Sequence, residues 1–317
     1  GALGDVLMST PLVRLLSREG RVDYLVGASS ACILQNNPHV SKAYPFDESI
    51  LLRKKILKIH NVTRSIEGNR YDSVFVLDKH WIFSLLATRV NSKLRVGFRR
   101  DALSFLHQSV PFGGRIEHEV DCYLSLAARS GISVAGAERS LVCVPGPSDV
   151  ARAGSLVDGP YIVLFNSGGN NPGEQSTARQ MPAALFAQIA SELAKRRHVV
   201  FVGLQSEFDY YRQFAGGQTT NLCGMTEPMQ AVALLRNAAG VITTDCGVMH
   251  MAASVNQRVL AIFGPTHPRR KCPPGARYIW QDESRYSYAY EDYGVVPKGS
   301  FFRTIDAARV VEEFDSM

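Results

Sequence analysis

The run 241–268, VITTDCGVMHMAASVNQRVLAIFGPTHP, constrains the fold more than any other part of this chain. Residues 241–244 are short and rich in β-branched side chains, which predicts a strand. Asp245 follows at a turn, Cys246 and Gly247 open a helix, 258–263 reads as the next strand, and Gly264-Pro265-Thr266 makes a second turn. Strand, turn, helix and strand in that order form one α/β unit. Its polar groups gather where the strands end, the edge of such a sheet where ligands bind.

The helix can be read by face. Val248, Met251, Ala252 and Val255 fall at i, i+3, i+4 and i+7 and predict the core stripe. At about 100° per residue, His250 projects about 200° away from that stripe. It is either a passive surface or satisfied core residue, or a ligand contact in the first turns of a helix whose N-terminus faces a cleft. The position favours ligand contact. Asp245 reads as an N-cap, which stabilises by about 1 kcal/mol. A sugar-hydroxyl contact is compatible with that role, because a carboxylate has about four acceptor sites.

A chain of 317 residues is long for one core and suits two domains of roughly 150 residues each. No apolar run approaches the ~18 to 20 residues of a membrane span, and no secretory pattern opens the chain. The six cysteines are scattered, with no CxxC and no histidines at zinc spacing, so no metal site is expected. That usage fits a reducing cytoplasm. A net charge of +6 and a pI near 9.0 point to an anionic partner: a nucleotide, a phosphorylated glycan or an anionic membrane surface. No nucleic-acid partner is expected, because no binding motif accompanies the charge.

From residue 22 onward, short β-rich runs alternate with helical stretches. Strands are expected over 22–26, 42–46, 73–77 and 94–98, and a helix over 120–130 that Gly131 stops. Pro145, Gly146, Pro147 and Ser148 form a breaker cluster, placing an interdomain linker around 140–158. The pattern restarts with a strand at 161–165 and an Asn/Gly loop over 166–182. A helix at 183–196, a strand at 198–202 and helices after Ser206 and over 229–239 follow. Such alternation predicts parallel βαβ units, giving one domain over 1–150 and a second over 151–317.

Several constellations have the chemistry for a polar ligand. The opening GALGDV is a glycine turn leading into a helix over 6–17, with Pro11 starting or kinking it. In an α/β domain such a turn should follow a buried strand, and the strand is expected to be missing from this sequence. Asp5 there is either a charge complementing the helix dipole or a general base. In the loop 166–182, Gly168 and Gly169 follow a strand, and Arg179 offers a forked cation suited to phosphate or a plain solvated charge. Glu207 either bridges a ribose diol or begins a helix. Arg53, Lys54, Lys55 and Lys58, with Arg95, Arg99 and Arg100, either form solvated faces or meet an anionic acceptor or bilayer.

The segment NLCGMTEPMQAVALLRNAAGVITTDCGVMHMAASVNQRVLAIFGPTHP resembles the ADP-heptose:lipopolysaccharide heptosyltransferases, glycosyltransferase family nine. That family has an N-L-x-G segment and a helix before a D-[ST]-G-x-x-H-x-A-A block and an F-G-P-T turn. The opening GALGDVLMSTPLVRLL, the middle runs YDSVFVLDKHWIFSLL and RVGFRRD, and HEVDCYLSLAARSGI are similar to its other segments. Departures are Met181 where the family usually has Trp, Cys246 in place of Ser or Thr, and an unusual loop over 170–176.

The resemblance implies a GT-B architecture, two Rossmann-like domains with parallel sheets facing a central cleft. The acceptor would sit on the first domain and the donor mainly on the second. It puts the general base on Asp5 and a phosphate contact on Arg179. The sugar contact falls on Asp245, the diphosphate contacts on Gly247 and His250, and the ribose contact on Glu207. Gly168 and Gly169 belong with this donor set; Arg53, Lys54, Lys55, Arg99 and Arg100 are the acceptor candidates. Such enzymes invert the anomeric centre without a metal or cofactor.

The first expectation is therefore transfer of heptose from ADP-heptose to a lipopolysaccharide inner-core acceptor. The enzyme would work in the cytoplasm, with peripheral contact to the anionic inner face of the inner membrane. One alternative is a related GT-B enzyme using another nucleotide sugar on a different glycan, antibiotic or protein acceptor. Another is a binding module without catalysis.

Overall fold

The computed structural model describes residues 2–52, 60–100, 103–113, 116–168, 170, 171, 174, 175, 177–281, 286, 290, 295 and 299–317. The chain divides into two units, Gly1–Leu141 and Val142–Met317. The division falls after Leu141 because the segment that follows the breaker cluster is not an open linker. Pro147 sits at the start of a helix, Pro147–Gly154, that packs within the second unit.

The first unit opens with α1 (Leu3–Leu16), which buries Val6, Leu7, Met8, Leu12, Val13 and Leu15. Pro11 lies inside it and has no N–H for the carbonyl of Leu7. The Thr10 hydroxyl donates to that carbonyl instead, at 2.6 Å, so the turn stays satisfied. Next come β1 (Asp23–Gly27), a 3₁₀ turn (Ala28–Leu34), β2 (Lys42–Phe46) and the short α2 (Ser49–Leu52). β3 (Arg70–Val76), α3 (Trp81–Ala87), β4 (Asn91–Arg99), β5 (Gln108–Pro111) and α4 (Glu119–Arg129) complete the unit, with α4 packed on α1. All pairings among the described residues of this unit are parallel, as the alternation predicted, but they form two sheets, β1-β2 and β3-β4-β5.

The second unit is built on a six-stranded parallel sheet. In chain order it contains α5 (Pro147–Gly154), β6 (Tyr161–Leu164), a two-residue antiparallel ladder of β7 (Asn170–Asn171) and β8 (Glu174–Gln175), α6 (Ala183–Ala194) and β9 (His198–Phe201). α7 (Phe208–Arg212), β10 (Thr219–Asn221), α8 (Pro228–Asn237), β11 (Val241–Thr244) and α9 (Gly247–Val255) follow. The last elements are β12 (Val259–Phe263), α10 (Pro268–Lys271), β13 (Arg277–Trp280) and a C-terminal helix (Ala307–Asp315). β6, β11 and β12 are buried at every position, as strands covered on both faces must be. α6 buries Leu185, Phe186, Ile189, Ala190 and Leu193 and packs against the C-terminal helix. Gly240 is required there: a Cβ would lie 2.6 Å from the Phe314 ring, on which the Arg258 guanidinium stacks at 4.3 Å.

The strands of this sheet lie in the order β10-β9-β6-β11-β12-β13. The first strand of the unit occupies the middle. Its successors run outward on one side, then on the other. This is the doubly wound order, and its direction reverses between β6 and β11.

Candidate active site

At that reversal the chain leaves β6 and β11 on the same edge, and the crevice outside the strand ends is where such sheets hold ligands. The Thr244 hydroxyl extends the β6–β11 ladder past its last backbone bond. It donates to the carbonyl of Ser167 at 2.7 Å and accepts the Ser167 N–H at 3.1 Å. Asn166, itself buried, grips the following loop. Its side chain bonds both the N–H of Met181 at 2.8 Å and the carbonyl of Met181 at 3.0 Å. Met181 is buried too, so this hold fixes the position of Arg179 two residues earlier.

The structure brings Arg179 and Asp245 together. One Arg179 nitrogen lies 3.8 Å from Asp245 Oδ2, too far for a hydrogen bond, while Nε donates to the Tyr290 hydroxyl at 3.0 Å. Asp245 is only 2% exposed, and its Oδ2 has no hydrogen-bond partner among the described residues. A buried carboxylate oxygen left in that state is expensive. The N-cap expectation for Asp245 is corrected: Cys246 occupies the cap position, and no side chain caps the helix. Burial pushes the Cys246 thiol up to about 11, so it stays neutral beside Asp245.

The face expected for α9 is also corrected. The helix buries Met249, His250, Met251 and Ala252, while Val248 and Val255 are half-buried. Met249 packs on Ala261, Phe263 and Cys272 of the sheet side, and α8 covers another side of the same helix. A helix covered on two sides has no single stripe, so His250 is an interior residue one turn from the helix start. Gly247 begins that helix, whose first N–H groups favour an anion. Gly168 is half-buried beyond β6; Gly169 lies outside the described residues.

Glu207 sits beyond the end of β9, the neighbour of β6. Its Oε2 accepts the Leu204 N–H at 2.8 Å, closing the turn Gln205–Glu207. A Cβ on Gly203 would lie 2.7 Å from that oxygen, so a larger residue there would push the Glu207 carboxylate aside. At the end of β12 the fully buried Thr266 has a hydroxyl with no partner among the described residues. His267 follows, its ring 4.7 Å from Trp280 and 4.8 Å from Tyr286.

In the first unit, Asp5 lies in the first turn of α1 and accepts the Ala2 N–H at 3.2 Å. It lines a cavity of about 460 Å³ whose wall also includes Tyr24, Asp78, Lys79 and Tyr123. Burial pushes the Tyr24 phenol up to about 12, against a hydrogen bond from the Ser9 side that lowers it, with Asp5 adding to the rise. Lys79 donates to both oxygens of Glu119, at 3.0 and 3.1 Å, and lies 4.1 Å from the Phe112 ring centre. Arg99 is exposed at the end of β4 and Arg100 half-buried beside it, whereas Arg95 is used internally, donating to the Phe105 carbonyl at 3.2 Å. Arg53, Lys54, Lys55 and Lys58 lie outside the described residues.

Residues 59–288 match the model of the family described as glycosyltransferase family 9 (heptosyltransferase). The chain belongs to that family. Among its relatives, lipopolysaccharide heptosyltransferase 2 of Salmonella typhimurium is 25% identical over 302 residues, covering 84% of this chain and 81% of that one. A family 9 glycosyl transferase from Veillonella parvula superposes with a TM-score of 0.85 at 19% identity, covering 100% of this chain and 94% of that one. An Escherichia coli heptosyltransferase with ADP-2-deoxy-2-fluoro heptose superposes at 0.74 with 16% identity, covering 100% and 97%. This family 9 chain is thus a heptosyltransferase-like glycosyltransferase, and the structural likeness gives it the parallel α/β, GT-B type of fold.

Three features of this family 9 chain escaped the sequence reading. Asn166 looked like one more polar loop residue, although its place directly after a fully buried strand was a usable signal. The pairing of Lys79 with Glu119 joins residues that lie far apart in the chain, and local pattern carries no trace of it. Thr266 was seen only as part of a turn; its burial depends on the packing around β12.

Proposed function

We propose that this family 9 glycosyltransferase moves heptose from ADP-heptose to a hydroxyl of a lipopolysaccharide inner-core acceptor, inverting the anomeric centre. The observation that carries the donor half is the buried Asp245 carboxylate, with an oxygen unbonded among the described residues and Arg179 3.8 Å away at the β6–β11 reversal. Asp245 accepts sugar hydroxyls, while Arg179 and the first N–H groups of α9 face the diphosphate. Gly168 and Gly169 let the backbone approach it, His250 supports the helix start from inside, and Glu207 meets the ribose.

In the reaction, Asp5 takes the proton of the acceptor hydroxyl as its oxygen bonds to the anomeric carbon. The bond from that carbon to the β-phosphate oxygen breaks, and ADP leaves with the electron pair. Negative charge grows on the leaving group, so Arg179 and the helix N-terminus stabilise the transition state more than the ground state. Arg99 and Arg100 are the described cations placed at the first unit's strand ends for an anionic acceptor, with Arg53, Lys54 and Lys55 proposed for the same role. The enzyme is assigned to the cytoplasm, at the inner face of the inner membrane. Among the described residues no helix is long and apolar enough to cross a membrane.

The deciding experiment is ADP release with a panel of nucleotide sugars and acceptors. Release that needs both ADP-heptose and a heptose-accepting inner core supports the proposal. Turnover with a different sugar nucleotide or acceptor moves the chain to another member activity of family 9, and donor binding without release in any pairing overturns it.

A further inference from the structure

The backbone around Arg179 is fixed on both sides of that residue. Two residues later, Asn166 grips Met181, and one residue earlier, Ala178 meets the turn that follows β12. A Cβ on Gly264 would lie 3.0 Å from the Ala178 carbonyl and 2.8 Å from the Phe302 ring, so these segments meet with no side chain between them. What the backbone leaves unset is the direction of the Arg179 side chain.

Tyr290 sets that direction. Its ring is buried, 1% exposed, and its hydroxyl accepts the Arg179 Nε–H at 3.0 Å. The guanidinium carbon lies 5.4 Å from the ring centre. A guanidinium is planar, so a bond at Nε governs where its other two nitrogens point. Here Nη1 stands 3.8 Å from Asp245 Oδ2, an oxygen with no hydrogen-bond partner among the described residues. An arginine and a buried carboxylate this close ordinarily pair at about 2.8 Å, often through two parallel bonds. Direct pairing would satisfy Oδ2 and occupy the fork, and the two groups would then neutralise one another instead of meeting a ligand. We propose that Tyr290 is a positioning residue that holds Arg179 at a distance from Asp245, turning the cation to a diphosphate and leaving the carboxylate to a sugar. The use of this hold rests on the donor-site reading proposed above; the hold itself does not. The same part of the chain has a second anchor, where Arg270 Nη1 donates to the Tyr286 hydroxyl at 2.9 Å.

The test is Tyr290→Phe, which keeps the ring and deletes the hydroxyl. Crystal structures of the parent and the variant should show the Arg179–Asp245 separation closing from 3.8 Å to about 2.8 Å. ADP affinity, read by isothermal titration, should fall about tenfold. The Tm should stay within about 2 °C of the parent, because one hydrogen bond to a charged group replaces another. In an Asp245→Asn background the charge that draws Arg179 in is gone, so Tyr290→Phe should change ADP affinity by less than about threefold. Tyr286→Phe loosens the other anchor and should leave ADP affinity within about twofold of the parent. An unmoved Arg179, an unchanged ADP affinity, or an equal loss in Tyr286→Phe or in the Asp245→Asn background overturns the proposal. A parent that fails to bind ADP overturns the donor-site reading instead, and with it the use of the hold, while the two crystal structures still decide whether the hold exists.

Discussion

The two units are built from the same parts, yet one sheet is continuous across six strands and the other is divided into two and three. In the second unit the middle strand β6 is buried at all four positions and paired on both sides. In the first, β1 and β3 each have one partner among the described residues and line the same cavity. The difference teaches that the same alternation of strand and helix leaves a cavity between the strands in one unit and closes a sheet in the other. Around that cavity α1 packs on α4 and keeps its buried face, with Arg14 bonded to Glu138 and to both the hydroxyl and the carbonyl of Ser140. The two edges also differ in their chemistry. The second presents a buried carboxylate, with one oxygen unbonded among the described residues, beside a cation, and the first a carboxylate at a helix start.

The largest expected effect separates these roles. Asp5→Asn should lower kcat by about 10²- to 10⁴-fold, the usual contribution of a general base, or about 3–5 kcal/mol. Donor binding, read as the rise in Tm with added ADP-heptose, should be unchanged. Near-normal turnover in this variant removes Asp5 as the base and leaves the first unit without a defined chemical role.

The next prediction compares one substitution in both units. Val163 in β6 is fully buried and Val26 in β1 is 2% exposed, so both lose the same atoms on truncation to Ala. In the continuous sheet Val163→Ala loses about 1.6 kcal/mol of transfer energy and opens a new void, for a total of about 2–3 kcal/mol. Val26 already borders open space, so Val26→Ala should cost only about 1 kcal/mol. Urea unfolding of the two variants checks it. Equal losses would mean that the cavity wall is as well packed as the second sheet, and the contrast between the units would fail.

A smaller effect bears on the second edge alone. Asp245→Asn keeps the shape of the side chain but removes the charge and one acceptor, and should weaken donor binding about 10- to 100-fold. Isothermal titration with ADP-heptose measures this directly. Unchanged affinity would show that the unbonded Oδ2 is not held for the donor.

How much of this could be read from the chain follows from the same contrast. β6, β9, β11 and β12 were legible because central parallel strands are short apolar runs bounded by turns. β10, with the sequence TTN, was not, because an edge strand has one neighbour and is specified by its ladder to β9, not by its own residues. β5 escaped for the same reason, and β13 and the C-terminal helix lay in a tail with no usable period. Of the candidate site, Arg179 and Asp245 were legible as a cation before a helix and an acid at a strand end. Their meeting was not, because it depends on Asn166 gripping Met181 from across the loop. His250 was placed on the wrong side of its helix because amphipathic reading assumes one buried face, and α9 has more than one.

The smallest effect at neutral pH grows in alkali. Burial raises Cys246 in the second unit from an ordinary 9.0 to about 11, and Cys223 and Cys272 to about 12. Below pH 9 a thiol is protonated in both folded and unfolded chains and contributes nothing to pH dependence. Between pH 9 and 11 the unfolded chain releases the Cys246 proton while the folded chain retains it, so stability falls as pH rises. At pH 10 the loss from Cys246 is about 1.4 kcal/mol, one pKa unit's worth. In the first unit burial likewise raises Tyr24, from 10.0 to about 12, so its contribution begins a unit higher than that of Cys246. Cys246→Ala should lose about 1.4 kcal/mol less than the parent between pH 8 and pH 10 in urea unfolding, and an identical loss would show that this thiol ionises in the folded chain as freely as in the unfolded one.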